Sequence, residues 1–176
     1  SYIMEYHVVN WQNLRSLCQQ LMEAEHLSSE DAFICADNLV DADLTGVESH
    51  GVSRMSNYMK RLKTQVVAHT NEIKVLEEHA ASLAIDGGNA MGMVSGTFAM
   101  QECIRKAKSS GCCFATVKHS NHYGMASYYV SMATESGMIG VTGTNAPPNI
   151  APWGSSQKYM GTNPIAFGAP TKDRPI

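Results

Sequence analysis

"CCFATVKHSNHYGMASYYVSMATESGMIGVTGTN", residues 112–145, decides the fold class. The apolar run 112–118 reads as a buried strand, "MASYYVSMATES" as a helix stopped by Gly137, and "MIGVTGTN" (138–145) as another strand. Strand, helix and strand in that order make one βαβ unit, with a right-handed crossover if the strands are parallel neighbours. The chain is therefore α/β. Ligands of open α/β sheets bind beyond the carboxyl ends of the strands. Lys118, His119, His122 and Asn145 sit there, after two different strands, and converge on one crevice if those strands are adjacent.

Working outward, the N-terminal side is helical. Trp11, Leu14, Leu17, Cys18, Leu21 and Met22 recur at three- and four-residue spacing, which predicts a helix from Trp11 to about Glu25 capped by Asn10. Ser28 followed by Asp31 resembles a capping box opening a second helix that runs to about Asp43, before Gly46. Met55, Tyr58, Met59 and Leu62 form one stripe of a third, with "VESHGVSR" just ahead of it or on its first turn. "IKVLEE" and "ASLAIDG" suit paired strands closed by the turn "DGGN" at 86–89. A helix from about Ala90 to Lys108, ended by Gly111, should bury Val94, Phe98, Ile104 and Ala107. After residue 145 comes a long Pro- and Gly-rich loop, "APPNIAPWGSSQKYMGTNP", then a short strand, "IAFGAP". A loop longer than about 12 to 15 residues is a candidate for ligand contact. The expected organisation is a helical segment over 1–70 followed by a mixed α/β domain over 71–176.

Composition narrows the function classes. The 176 residues are 44 % hydrophobic, enough for a substantial core, and carry 13 basic against 16 acidic residues without runs. That charge pattern gives no footprint for nucleic acid or an anionic membrane, so a small-molecule partner is expected. Five cysteines, odd in number and with no CxxC pair, oppose both a disulfide framework and a zinc knuckle and fit a reducing cytoplasm. No stretch approaches the roughly 18 to 20 apolar residues of a membrane span, and the N-terminus lacks a signal-peptide pattern. Met4 reads as the native start.

Two constellations can do chemistry. His119 and His122 admit three readings: a metal site lacking an obvious third ligand, a polar turn, or an acid/base histidine titrating near neutrality. In the second, Ser49, His50, Gly51 and Arg54, a helix would set His50 and Arg54 one turn apart on one face. A guanidinium grips a carboxylate with two parallel hydrogen bonds, and a helix N-terminus adds anion affinity. The plainer alternative is a helix start with Ser49 as cap and Arg54 as a solvated charge. No GxGxxG, GxxxxGK[ST] or GxSxG is present, so the residues alone name no cofactor and argue against a serine hydrolase.

Four motifs taken together, "DADLTGVESHGVSRMSNYMKRL" (41–62), "IDGGNAMG" (85–92), "VKHSNHYGMASYY" (117–129) and "APWGSSQKYMGTNPIAFGAP" (151–170), resemble the type II malate/L-lactate dehydrogenase family. That family also holds ureidoglycolate, sulfolactate and diketogulonate dehydrogenases. The resemblance implies a non-Rossmann fold and hydride transfer between NAD or NADP and a 2-hydroxy acid/2-oxo acid pair. It places Ser49 and Arg54 at the substrate and makes His50, His122 and Lys118 the catalytic candidates, His50 or His122 being the proton acceptor. Asn145, Ala146, Thr162 and Asn163 are the expected cofactor contacts, no residue is a metal ligand, and the enzyme is expected to be a cytoplasmic homodimer. Family members are longer, so beyond "TKDRPI" the resemblance predicts a further strand, making this chain an N-terminal fragment that by itself would be inactive. The alternatives are a non-catalytic carboxylate-binding relic of the family and a metal-dependent hydrolase built on His119 and His122.

Overall fold

The computed structural model describes residues 7–176, and the expected start at Met4 lies outside them. Helix α1 (Trp11–Ala24) begins where Asn10 Oδ1 accepts the Asn13 N–H at 2.9 Å, as the cap pattern predicts. Helix α2 (Ser29–Leu44) starts with Ser28 Oγ accepting the Asp31 N–H at 3.1 Å, while the Asp31 carboxylate accepts from Asn71 Nδ2. Arg15 ties the two helices together: its guanidinium lies 5.0 Å from the Trp11 ring centroid and 4.8 Å from that of Phe33, and 2.7 Å from Asp37.

Between α2 and α3 (Met55–Lys63) the chain makes two 3-10 turns, Glu48–His50 and Val52–Arg54, separated by Gly51 in extended conformation. Of the two placements expected for "VESHGVSR", just ahead of the third helix or on its first turn, the structure has the first, so His50 and Arg54 do not stand one turn apart on a single helix. Asp43 Oδ2 accepts the Val52 N–H at 2.9 Å and fills the space that a side chain on residue 51 would need. Ser49 consequently caps neither these turns nor α3.

Strands β1 (Lys74–His79), β2 (Ser82–Asp86) and β3 (Phe114–Lys118) form one sheet in that order. The "DGGN" turn follows β2, with Gly88 and Asn89 at φ +59° and +57° and Asp86 Oδ1 accepting the Gly88 N–H. Helix α4 (Gly92–Ser110) ends at Gly111, whose φ of +81° a side chain would strain. Met93 and Val94 are buried, but Phe98, Ile104 and Ala107 are only half-covered.

Helix α5 (Ser127–Glu135) ends before Gly137, and β4 (Gly140–Gly143) pairs antiparallel with β5 (Ile165–Gly168), Gly140 opposite Gly168. Both glycines lie against Val130 of α5, where a Cβ would come within 3.0 to 3.2 Å of Val130 atoms. Two expectations fail here. β3 and β4 belong to different sheets, so 112–145 is not a βαβ unit of neighbouring strands. β3 is also not buried: it ends its sheet's strand order and Phe114 is 69 % exposed. An apolar run records that a strand forms, not which neighbour covers it.

Contacts group the chain into two interleaved units. The first holds residues through Glu77, Ala84–Gly96 and Thr116–Met125; the second holds Glu78–Leu83, Thr97–Ala115 and Ala126–Ile176. The 1–70 and 71–176 division follows element type instead. The first unit is organised around Met22, Leu27, Cys35, Leu39, Tyr58, Leu62, Val67, Met91, Met93 and Val94. Each large side chain so buried contributes about 1.5–3 kcal/mol. Among the described residues no helix is long and apolar enough to cross a membrane.

Candidate active site

His122 sits in the first unit, in the loop after β3, and its neighbours fix that loop. Asn121 Nδ2 donates to Asn89 Oδ1 at 3.0 Å and to the Ala90 carbonyl at 2.9 Å, while Arg61 Nη2 donates to Asn121 Oδ1 at 3.1 Å. Ser120 and Ser95 hydroxyls meet at 2.7 Å. Gly92 allows the approach, since a Cβ there would strike the carbonyl oxygens of Asn121 and His122. Gly124, at φ +75°, leaves room for Asn38 Oδ1, which also accepts the Met125 N–H at 3.4 Å.

Three groups from the 41–62 segment then close on His122. The Tyr58 hydroxyl lies 2.6 Å from His122 Nδ1, and the His50 ring stacks on His122 with centroids 5.8 Å apart and planes 25° apart. Tyr58 is buried, which pushes its phenol pKa far above the ordinary value of 10.0. Arg54 Nε donates to the Ser49 carbonyl at 2.7 Å, and its two terminal nitrogens make no hydrogen bond among the described residues. The Ser49 hydroxyl and His50 Nδ1 are 2.9 Å apart.

These surroundings set protonation. Part of the His122 ring stays open to solvent, yet the loss of water around the rest, and then the positive charge of Arg54, His50 and Arg61, push its pKa down to about 4. His50 is lowered by the same two causes, burial first and Arg54 second. Both imidazoles are therefore neutral at pH 7.

His119 goes elsewhere. It adopts φ +52° and places Nδ1 2.9 Å from Asp86 Oδ2, so it ties the loop after β3 to the turn that follows β2. The Asp86 carboxyl is held below its usual range, first by the Gly88 N–H, then by His119, with Lys118 also contributing. Lys118 thus brings its charge to Asp86. Among the described residues no group of three or more His, Cys, Asp or Glu is placed to hold a metal ion.

Asn145, Ala146, Thr162 and Asn163 belong to the second unit, where the structure brings them together. Asn163 Oδ1 accepts the Ala146 N–H at 2.8 Å, and the absent side chain of Gly161 lets the Ala146 carbonyl approach. The Asn145 carboxamide and the Thr162 hydroxyl make no protein hydrogen bond among the described residues and point no charge at one another. Such neutral donors and acceptors fit the carboxamide and ribose hydroxyls of a nicotinamide nucleotide.

The sequence missed Tyr58, Arg61, Asn121 and Asn38 as parts of this arrangement. Tyr58 was legible only as a member of an apolar stripe, although a buried phenol usually requires a polar partner.

Fold and cluster together define a non-Rossmann α/β protein with a cationic, histidine-bearing site. A profile of the family described as malate/L-lactate dehydrogenase matches residues 9–176, and the chain belongs to that family. Malate dehydrogenase of Pyrococcus horikoshii is 48 % identical over 147 residues, 84 % of this chain and 41 % of the relative. L-sulfolactate dehydrogenase of Methanocaldococcus jannaschii is 40 % identical over 156 residues, 89 % of this chain and 45 % of the relative. The solved malate dehydrogenase of Pyrococcus horikoshii superposes with a TM-score of 0.94 at 43 % identity, covering 99 % of this chain and 51 % of that one. The chain therefore spans about half the length of the relatives it matches.

Proposed function

We propose that this chain carries the substrate-carboxylate and proton-handling part of a 2-hydroxy acid dehydrogenase of the malate, lactate or sulfolactate kind. The observation that carries the reading is the pair of unengaged terminal nitrogens on Arg54 beside the stacked, neutral His50 and His122. The Nη1/Nη2 end of Arg54 grips the substrate carboxylate with two hydrogen bonds, its Nε being spent on the Ser49 carbonyl. One histidine exchanges the C2 hydroxyl proton, and the other donates a hydrogen bond to the same oxygen. A donor aimed at developing oxyanion charge is worth about 3–4 kcal/mol in well-defined sites. Lys118, expected in that second role, is better suited to supporting the Asp86 and His119 turn.

Asn145, Ala146, Thr162 and Asn163 would hold NAD or NADP, which when bound supplies the hydride acceptor for oxidation and the donor for the reverse reaction. Five free thiols accord with a cytoplasmic enzyme, and the family resemblance implies a homodimer. Titration of pyruvate or oxaloacetate into the protein, read from His50 and His122 NMR signals, tests the carboxylate site. Calorimetry with NADH and NADPH tests the other. Saturable shifts that Arg54→Lys weakens are expected; a chain whose signals ignore both acids overturns the reading.

A further inference from the structure

We infer that Tyr58 is a positioning residue that holds His122 as the neutral imidazole protonated at Nε2, so that His122 offers an N–H rather than a lone pair to whatever lies beside it. Two groups converge on His122 Nδ1. The Gly124 backbone N–H, 3.4 Å away, can only donate. The Tyr58 hydroxyl, at 2.6 Å, therefore finds Nδ1 already committed as an acceptor and donates to it as well. A bare Nδ1 on a neutral imidazole requires the proton at Nε2.

Two further features hold that state. Tyr58 is buried and keeps its proton, so it remains a donor across the working pH range. The charged and titratable groups facing His122 are Arg54 and His50 from the two 3-10 turns and Arg61 and Tyr58 from α3, none of which stabilises an imidazolium. The tautomer stands on geometry alone, while its use in catalysis rests on the dehydrogenase reading. In that use, His122 Nε2–H donates to the substrate oxygen, and the hydroxyl proton passes to His50 as hydride leaves C2 for the nicotinamide. The reverse reaction returns both.

Long-range proton–nitrogen correlation of the histidine side chains in the ligand-free protein at pH 7 reads the tautomer directly. His122→Asn assigns the signals. A protonated Nε2 and bare Nδ1 are expected, and a proton on Nδ1 overturns the inference without touching the carboxylate-binding test above. Tyr58→Phe should lower the ratio of the two tautomers about tenfold, the factor that one buried hydrogen bond supports. The tilted His26 and His69 pair, 5.6 Å between centroids, reports in the same spectrum whether that variant keeps its fold. An unchanged ratio in folded Tyr58→Phe removes Tyr58 from the role. If the variant does not fold, the wild-type spectrum alone decides the tautomer.

Discussion

The His50, Tyr58 and His122 cluster and the Asn145 to Asn163 patch are built differently. The first draws residues up to 64 positions apart into hydrogen-bond distance over a core of fully buried Leu39, Leu62 and Met93. The second is tied by a bond between residues 17 positions apart and stands on a two-stranded ribbon whose Ile165 and Phe167 are 80 % and 59 % exposed. Packing in the first unit decides protonation and orientation before any ligand arrives. In the second, exposed polar groups keep their hydrogen bonds to spare.

The largest effect should come from removing that packing. Leu62→Ala should cost about 2–5 kcal/mol in denaturant unfolding, while Phe167→Ala, on the exposed ribbon, should stay within about 0.5 kcal/mol. Equal costs would break the contrast. Next comes Arg54→Lys, which replaces a two-pronged grip by a point charge. In titrations with the 2-oxo acid the Kd should rise roughly ten- to a hundredfold, the worth of a lost charge-assisted hydrogen bond. Unchanged affinity would remove Arg54 from the carboxylate site.

A smaller effect concerns pH. The folded chain resists protonating His122 until about pH 4, whereas the unfolded chain takes up that proton near its ordinary value of 6.5. The unfolded state therefore binds more protons between those limits, and stability should fall as pH drops from about 6.5 to 4. His122→Asn should flatten that part of the thermal-melting profile; an identical slope would mean the burden lies on other groups. The smallest change is expected for Asn163→Ala, which deletes one exposed bond to Ala146 and should weaken NADH binding by about 0.5–1.5 kcal/mol without moving the melting temperature of the helical unit.

Local rules made much of this fold legible. The Asn10 and Ser28 caps, the glycine stops at 111 and 137 and the α3 stripe depend on neighbours three or four residues away, which the sequence displays directly. Strand partnership does not. β4 finds β5 across the long loop, so the adjacency expected between β3 and β4 had no local signature. Which of the two placements "SHGVSR" would take was open for a related reason, because Asp43 reaches forward to Val52 and only a glycine at 51 leaves it space. Of the site, Ser49, His50, Arg54 and His122 were readable as chemistry-bearing types. Tyr58 was hidden because its hydroxyl is explained by a residue in a different element.

The 64-residue separation of Tyr58 and His122 also has a meaning in time. At about 5–20 residues per second of synthesis, roughly 3 to 13 seconds pass between the appearance of the phenol and that of the imidazole it holds. During that interval α1 to α3 leave the ribosome with Tyr58 lacking its partner. Only when the "SNHYGM" loop has been made can the phenol meet its imidazole.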